Sequence, residues 1–75
     1  MSKENPTLGE SRVRMSFNPS GNSEVDVAKR HGADFIDFCE TLKDPDLRSE
    51  RNRCLAIAQT KIEEATIFAV KGATA

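Results

Sequence analysis

Apolar positions recur along the 75-residue chain in two helical stripes. Stepping 100° per residue from Val25, the side chains Val25, Ala28, Gly32, Phe35, Ile36, Cys39 and Leu42 gather in one broad arc, and Asp26, Arg30, Asp34 and Asp37 gather opposite. The pattern predicts an amphipathic helix from about Glu24 to about Lys43, capped by Ser23, with Glu24 and Asp26 opposing the positive end of its macrodipole. Asp44-Pro45 then offers a capping carboxylate and a proline suited to a first helical position, which predicts a second helix from Pro45 to about Lys71, ended by Gly72. So short a connection makes the two helices antiparallel. On the second, Leu47, Cys54, Leu55, Ala58, Ile62, Ala65 and Ala69 form the stripe expected to face the first. Ile57, Ile67, Phe68 and Val70 fall outside that stripe, and a lone hairpin has nothing left to cover them, so other protomers are expected to do so.

Residues 1–22 are polar and punctuated by Pro6, Gly9, Pro19 and Gly21, and they read as an arm. Its end, Asn18-Pro19-Ser20-Gly21-Asn22, sets a fixed φ beside a permissive one, as a turn requires. No repeat and no alternating segment long enough for a sheet is present. The expected fold class is therefore all-α: an N-terminal arm over 1–22 and an antiparallel two-helix hairpin over 23–75, one domain, assembled into a homo-oligomeric helical bundle.

Composition supports self-association. A chain this short holds little private core, and two cysteines with a single histidine supply neither a disulfide framework nor a zinc spacing. Oligomerisation is the remaining means of stabilisation. Eleven basic and twelve acidic residues give a formal charge of −1, so no global positive field draws the chain to a nucleic acid polymer or an anionic membrane. No window approaches the ~18 apolar residues of a spanning helix, and the start, Met1-Ser2-Lys3-Glu4-Asn5-Pro6, lacks the apolar stretch of a signal peptide, which sets a cytoplasmic expectation.

Candidate chemistry is sparse. Cys39 and Cys54 sit on apolar stripes and read as core residues. The pairs Asp34/Asp37 and Glu63/Glu64 read as solvated surface, and Arg30 as an i,i+4 ion partner of Asp26. No nucleophile–base grouping, glycine-rich phosphate loop or metal cluster is evident, so the chain is not expected to be an enzyme or to hold a cofactor. The cations are more informative. Lys29 lies at one edge of the apolar arc and His31 at the other. Two readings fit Lys29, a stem lying along apolar surface or an anion ligand; His31 reads as a partly covered contact residue. Arg53, Thr60, Glu64 and Lys71 share one line on the second helix between apolar ridges, either a solvated strip or part of a pocket closed by a symmetry mate. On the arm, Arg12 and Arg14 precede Phe17, and two guanidiniums beside one ring suit a phosphate and a stacked base.

The run Arg53-Cys54-Leu55-Ala56-Ile57-Ala58-Gln59-Thr60-Lys61-Ile62-Glu63-Glu64-Ala65, continued by Phe68-Ala69-Val70-Lys71, resembles the C-terminal helix of phage helical-hairpin sponges that counter CBASS immunity, a family sharing its hairpin with anti-Thoeris sponges. The arm from Arg12 to Ser20, followed by Lys29, is similar as well. The resemblance implies a non-enzymatic immune-evasion protein in the host cell cytoplasm. It implies a homo-oligomer, typically a hexamer, that sequesters cyclic dinucleotides such as cGAMP and cyclic trinucleotides. By the same resemblance the arm aromatic matches Phe17 and the phosphate-binding lysine Lys29, with Arg12 and Arg14 beside them. Arg53, with Arg51 as competitor, and His31 match the separate trinucleotide pocket. A phenylalanine keeps the stacking surface of the family's tyrosine but not its hydroxyl. The alternative class is a helical adaptor that binds a protein through its apolar C-terminal helix.

Overall fold

The computed structural model describes residues 5–75, which contain three helices and no strand. Residues 1–4, part of the expected arm and of the start read as lacking a leader, lie outside the described residues. The helices are α1 (Leu8–Val13), α2 (Ser23–Thr41) and α3 (Glu50–Ala73). The all-helical class is as expected, and α2 and α3 form the antiparallel pair. Among the described residues, no helix is long and apolar enough to cross a membrane.

The segment read as an arm carries a helix of its own. Thr7 caps α1 through a reciprocal box: its Oγ1 accepts from the Glu10 amide at 3.1 Å while its own amide donates to Glu10 Oε1 at 3.0 Å. Six residues do not sustain a helix unaided; tertiary contacts hold this one. Gly9 packs so tightly on α2 that a Cβ there would collide with the Ala33 carbonyl, and its amide donates to Asp37 Oδ1 at 2.7 Å. Arg30 ties Glu10 to α2 at 2.9 Å and pairs with Asp34 at 3.0 Å, so its ion partners are Glu10 and Asp34 rather than Asp26. Buried Val13, Ala33 and Ile36 form the core, with Met15 and Ile62 packed against it.

Asn22, rather than Ser23, caps α2, its side chain accepting from the Glu24 amide at 2.8 Å. The buried face of α2 is Val25, Lys29, Gly32, Ala33, Ile36 and Cys39. Phe35 is a correction: it is exposed, its ring centroid 6.4 Å from that of exposed Phe38.

The second helix also starts later than Asp44-Pro45 suggests. Asp44 Oδ1 accepts from the Asp46 amide and from Ser49 Oγ, and the Asn52 amide group donates to the carbonyls of Asp44 and Asp46 at 2.8 and 3.1 Å. These bonds hold the chain in a turn, and Ser49 becomes the cap. Leu47 is consequently 89% exposed in the connection, not part of a helix stripe.

The buried line of α3 is Asn52, Gln59 and Thr66, spaced by seven. Leu55, Ala58 and Ile62 flank it half-buried, whereas Cys54, Ala65 and Ala69 are exposed, which corrects the predicted stripe. A polar line can be buried here because each member is satisfied. Gln59 donates to the Ile36 carbonyl at 3.0 Å and Glu40 Oε1 at 2.9 Å, and Thr66 donates to the Ile62 carbonyl at 2.8 Å. Opposite Thr66, Gly32 provides the gap its hydroxyl occupies. Ile57, Ile67 and Phe68 are exposed, as expected for residues off the stripe, whereas Val70, expected to be uncovered with them, is half-buried.

Candidate functional site

The turn that ends α1 builds the site. Arg14 terminates the helix in the left-handed region, at φ 57° and ψ 57°, the only non-glycine residue with positive φ among the described residues. Such a conformation costs on the order of 1–2 kcal/mol for a residue with a Cβ. Hydrogen bonds offset it: the Met15 amide donates to the Glu10 carbonyl and the Phe17 amide to the Arg14 carbonyl, each at 2.9 Å. The Lys29 ammonium, buried on α2, donates to the carbonyls of both Arg14, at 2.9 Å, and Phe17.

One aromatic ring thus carries two cations. The Arg14 Cζ lies 4.8 Å and the Lys29 Nζ 5.6 Å from the Phe17 ring centroid, within cation–π reach, and Phe17 is half exposed. Three cavities meet at these residues. A groove of about 700 Å³ is lined by Arg14 and Phe17, one of about 390 Å³ by Arg12, Arg14, Lys29 and Glu63, and one of about 280 Å³ by Phe17, Asn18 and Lys29. Chemically the arrangement offers a flat apolar face beside positive charge, the complement of a base next to a phosphate.

Arg12 is engaged differently from its expected pairing with Arg14. Its Nε and a terminal nitrogen both bond Glu63 Oε1, at 2.7 and 2.6 Å, and the same terminal nitrogen approaches Thr60 Oγ1 at 3.4 Å. Arg12 therefore latches the end of α1 onto α3. Glu63 and Asp37, which the helical pattern assigns to solvated surface, both anchor α1 instead. Arg12 and Glu63 are 51 positions apart, so no local spacing signals their contact.

The second set of residues lies elsewhere. Arg53 is exposed and pairs with Glu50 at 3.1 Å through its Nε. That hydrogen bond holds the Glu50 carboxyl below the usual range and raises the Arg53 guanidinium. Arg53, Ile57, Thr60 and Glu64 border one cavity of about 350 Å³ together with Ala56 and Lys61, in keeping with their shared line; Lys71 instead lies 5.8 Å from the Phe68 ring. His31 is exposed next to Gly32, which is level with Thr66. Thirteen residues separate Thr66 from Arg53, roughly 20 Å of helix. A single protomer therefore does not bring His31 and Arg53 together. Among the described residues there is no cluster of three or more residues able to hold a metal ion.

A profile of the Acb2/Tad1 hairpin domain matches residues 9–74. The chain belongs to the Acb2/Tad1 family. The match starts at Gly9, so it takes in the latched end of α1, the Arg14 turn and both long helices. The family is that of the anti-CBASS and anti-Thoeris sponges, phage anti-defence proteins that bind cyclic nucleotides rather than enzymes. No curated protein and no solved structure matches the chain.

Proposed function

We propose that the chain is an oligomeric sponge, a hexamer of hairpins in the cytoplasm of an infected host cell. It sequesters cyclic dinucleotides and cyclic trinucleotides before they reach CBASS effectors. The observation that carries this reading is the Phe17 ring with Arg14 and Lys29 beside it. A base stacks on Phe17 while its phosphate meets the Arg14 guanidinium and the Lys29 ammonium, which has a third N–H beyond the two spent on carbonyls. Arg12 lines an adjoining cavity that shares Arg14 and Lys29 with this site.

Two protomers related by a twofold axis present this set twice to a ligand that is itself nearly twofold. Stacking contributes roughly 1–3 kcal/mol per base and each charge-assisted hydrogen bond roughly 1.5–3 kcal/mol, so a duplicated set supports tight retention after the entropy of association is met. The exposed Ile57, Ile67 and Phe68 supply apolar surface for the assembly. For trinucleotides, a threefold junction brings three copies of Arg53 to three phosphates, with His31 reaching it from a neighbouring protomer.

Titration calorimetry with cyclic di- and trinucleotides, alongside light scattering, tests the proposal. Binding by a stable homo-oligomer is the expected result. A monomer that binds neither class overturns it and leaves the apolar face of α3 to a protein partner.

A further inference from the structure

The cavity of about 390 Å³ contains one carboxylate among three cations, and an anion site has no electrostatic use for it. Glu63 is nevertheless built in: both nitrogens of Arg12 bond the same oxygen, Oε1, and Oε2 carries no hydrogen bond among the described residues. A carboxylate has about four acceptor positions, so half of its capacity is unspent, all of it on Oε2. The wall of the cavity therefore presents a guanidinium and, directly beside it, an acceptor-only group. Arg14 and Lys29 line the same cavity and also lie against the Phe17 ring, so a base stacked on that ring has this cavity next to it.

We propose that Glu63, with Arg12, is the base-reading element of the site and selects guanine; this rests on the sponge reading above. The Watson–Crick edge of guanine runs O6, N1–H, N2–H₂: an acceptor followed by two adjacent donors. O6 meets the Arg12 guanidinium, and N1–H and N2–H, which point the same way, converge on the free Oε2 as charge-assisted hydrogen bonds. Adenine offers its amino group and an unprotonated N1, so only one donor reaches the carboxylate and a lone pair is left facing it. Uracil offers O4 and N3–H, followed by a carbonyl that the carboxylate repels. Cytosine offers two acceptors and a single donor, so guanine alone places an acceptor on the cation and two donors on the anion.

The test compares cyclic di-guanylate with cyclic di-adenylate by calorimetry on the intact chain, with circular dichroism confirming helicity. The wild type is expected to bind the guanylate at least about tenfold more tightly, the value of a single charge-assisted hydrogen bond. Glu63→Gln, which keeps the shape and loses the second acceptor and the charge, is expected to remove most of that ratio while still binding both ligands. Glu63→Asp, which keeps the charge and shortens the reach, is expected to narrow it. A general loss of arm order lowers both affinities and leaves the ratio intact, so an unchanged ratio in Glu63→Gln overturns the assignment. Equal wild-type affinities for the two ligands overturn it as well while leaving the sponge reading standing; absence of binding to either overturns both.

Discussion

Gly9 and Ala33 meet backbone to backbone, so α1 rests on α2 with no side chain between them. A methyl group at position 9 would run into the Ala33 carbonyl, which cannot swing aside because it belongs to the interior of α2. Gly9→Ala is therefore expected to lift α1 off the core, at about 1–3 kcal/mol, a typical cost of overpacking. For a domain of this size that lowers Tm by roughly 4–8 °C per kcal/mol. Gly72→Ala is the matched control, since nothing lies within 4 Å of its added methyl group. There the helix propensity of alanine is expected to leave stability unchanged or raise it slightly. Thermal melts of the two variants followed by circular dichroism check both; equal melting points contradict the close approach.

The acid response should start at the same helix. The Thr7 backbone amide, then Arg30, holds the Glu10 carboxyl below the ordinary glutamate range; the Gln59 amide group, then Lys43, does the same for Glu40. A carboxyl lowered in the folded state adds stability that is present above the unfolded-state pKa and is lost as pH falls through the folded-state pKa. Protonating Glu10 opens the capping box and its tie to Arg30 together, and α1 has only six residues to resist. On acidification below the ordinary glutamate range, amide exchange over Leu8–Val13 is expected to rise before exchange in α3. Glu10→Gln, which can still cap, is expected to flatten that pH dependence. Simultaneous loss of protection in α1 and α3 contradicts this order.

These elements differ in how far the sequence reveals them. The α2 arc is legible because Val25, Ile36 and Cys39 are apolar and buried, so periodicity and burial agree. The α3 face is not, because its centre is Asn52, Gln59 and Thr66, polar side chains whose burial depends on partners in α2 and the connection. Hydropathy then points to Cys54, Ala65 and Ala69, which face outward. The trio of Arg14, Phe17 and Lys29 is half legible: Arg14 and Phe17 lie three positions apart in sequence, and Lys29 stands out at the edge of an apolar arc. The Arg12 latch is invisible, since its partner Glu63 comes from a helix that only the tertiary fold brings near.

Lys29 holds the site in two ways, and a substitution separates them. Its ammonium fixes the Arg14 and Phe17 carbonyls, and its charge faces the ligand cavities. Lys29→Ala is expected to reduce cyclic dinucleotide affinity by roughly tenfold or more, with amide exchange at Met15–Phe17 rising. The oligomer is expected to stay intact, since the side chain is spent within its own protomer. Calorimetry and light scattering on one preparation measure both. Dissociation of the assembly by Lys29→Ala would make the residue a subunit contact instead.

Arg53 stands at the opposite end of the hairpin, and its substitution is expected to separate the two ligand classes. Its ion pair with Glu50 spans three residues of one exposed helix face, so losing it changes the fold little. The guanidinium is held toward Glu50, and a phosphate must compete with that carboxylate for the same nitrogens. Arg53→Ala is therefore expected to lower trinucleotide affinity and leave dinucleotide affinity as it was, because Arg14, Phe17 and Lys29 are untouched. Glu50→Gln works in the other sense: removing the competing charge is expected to tighten trinucleotide binding, most visibly at low salt, where unscreened phosphates gain most. Calorimetry of both variants against both ligands at two salt concentrations gives the answer. Equal losses for the two ligands in Arg53→Ala would place them in one shared pocket.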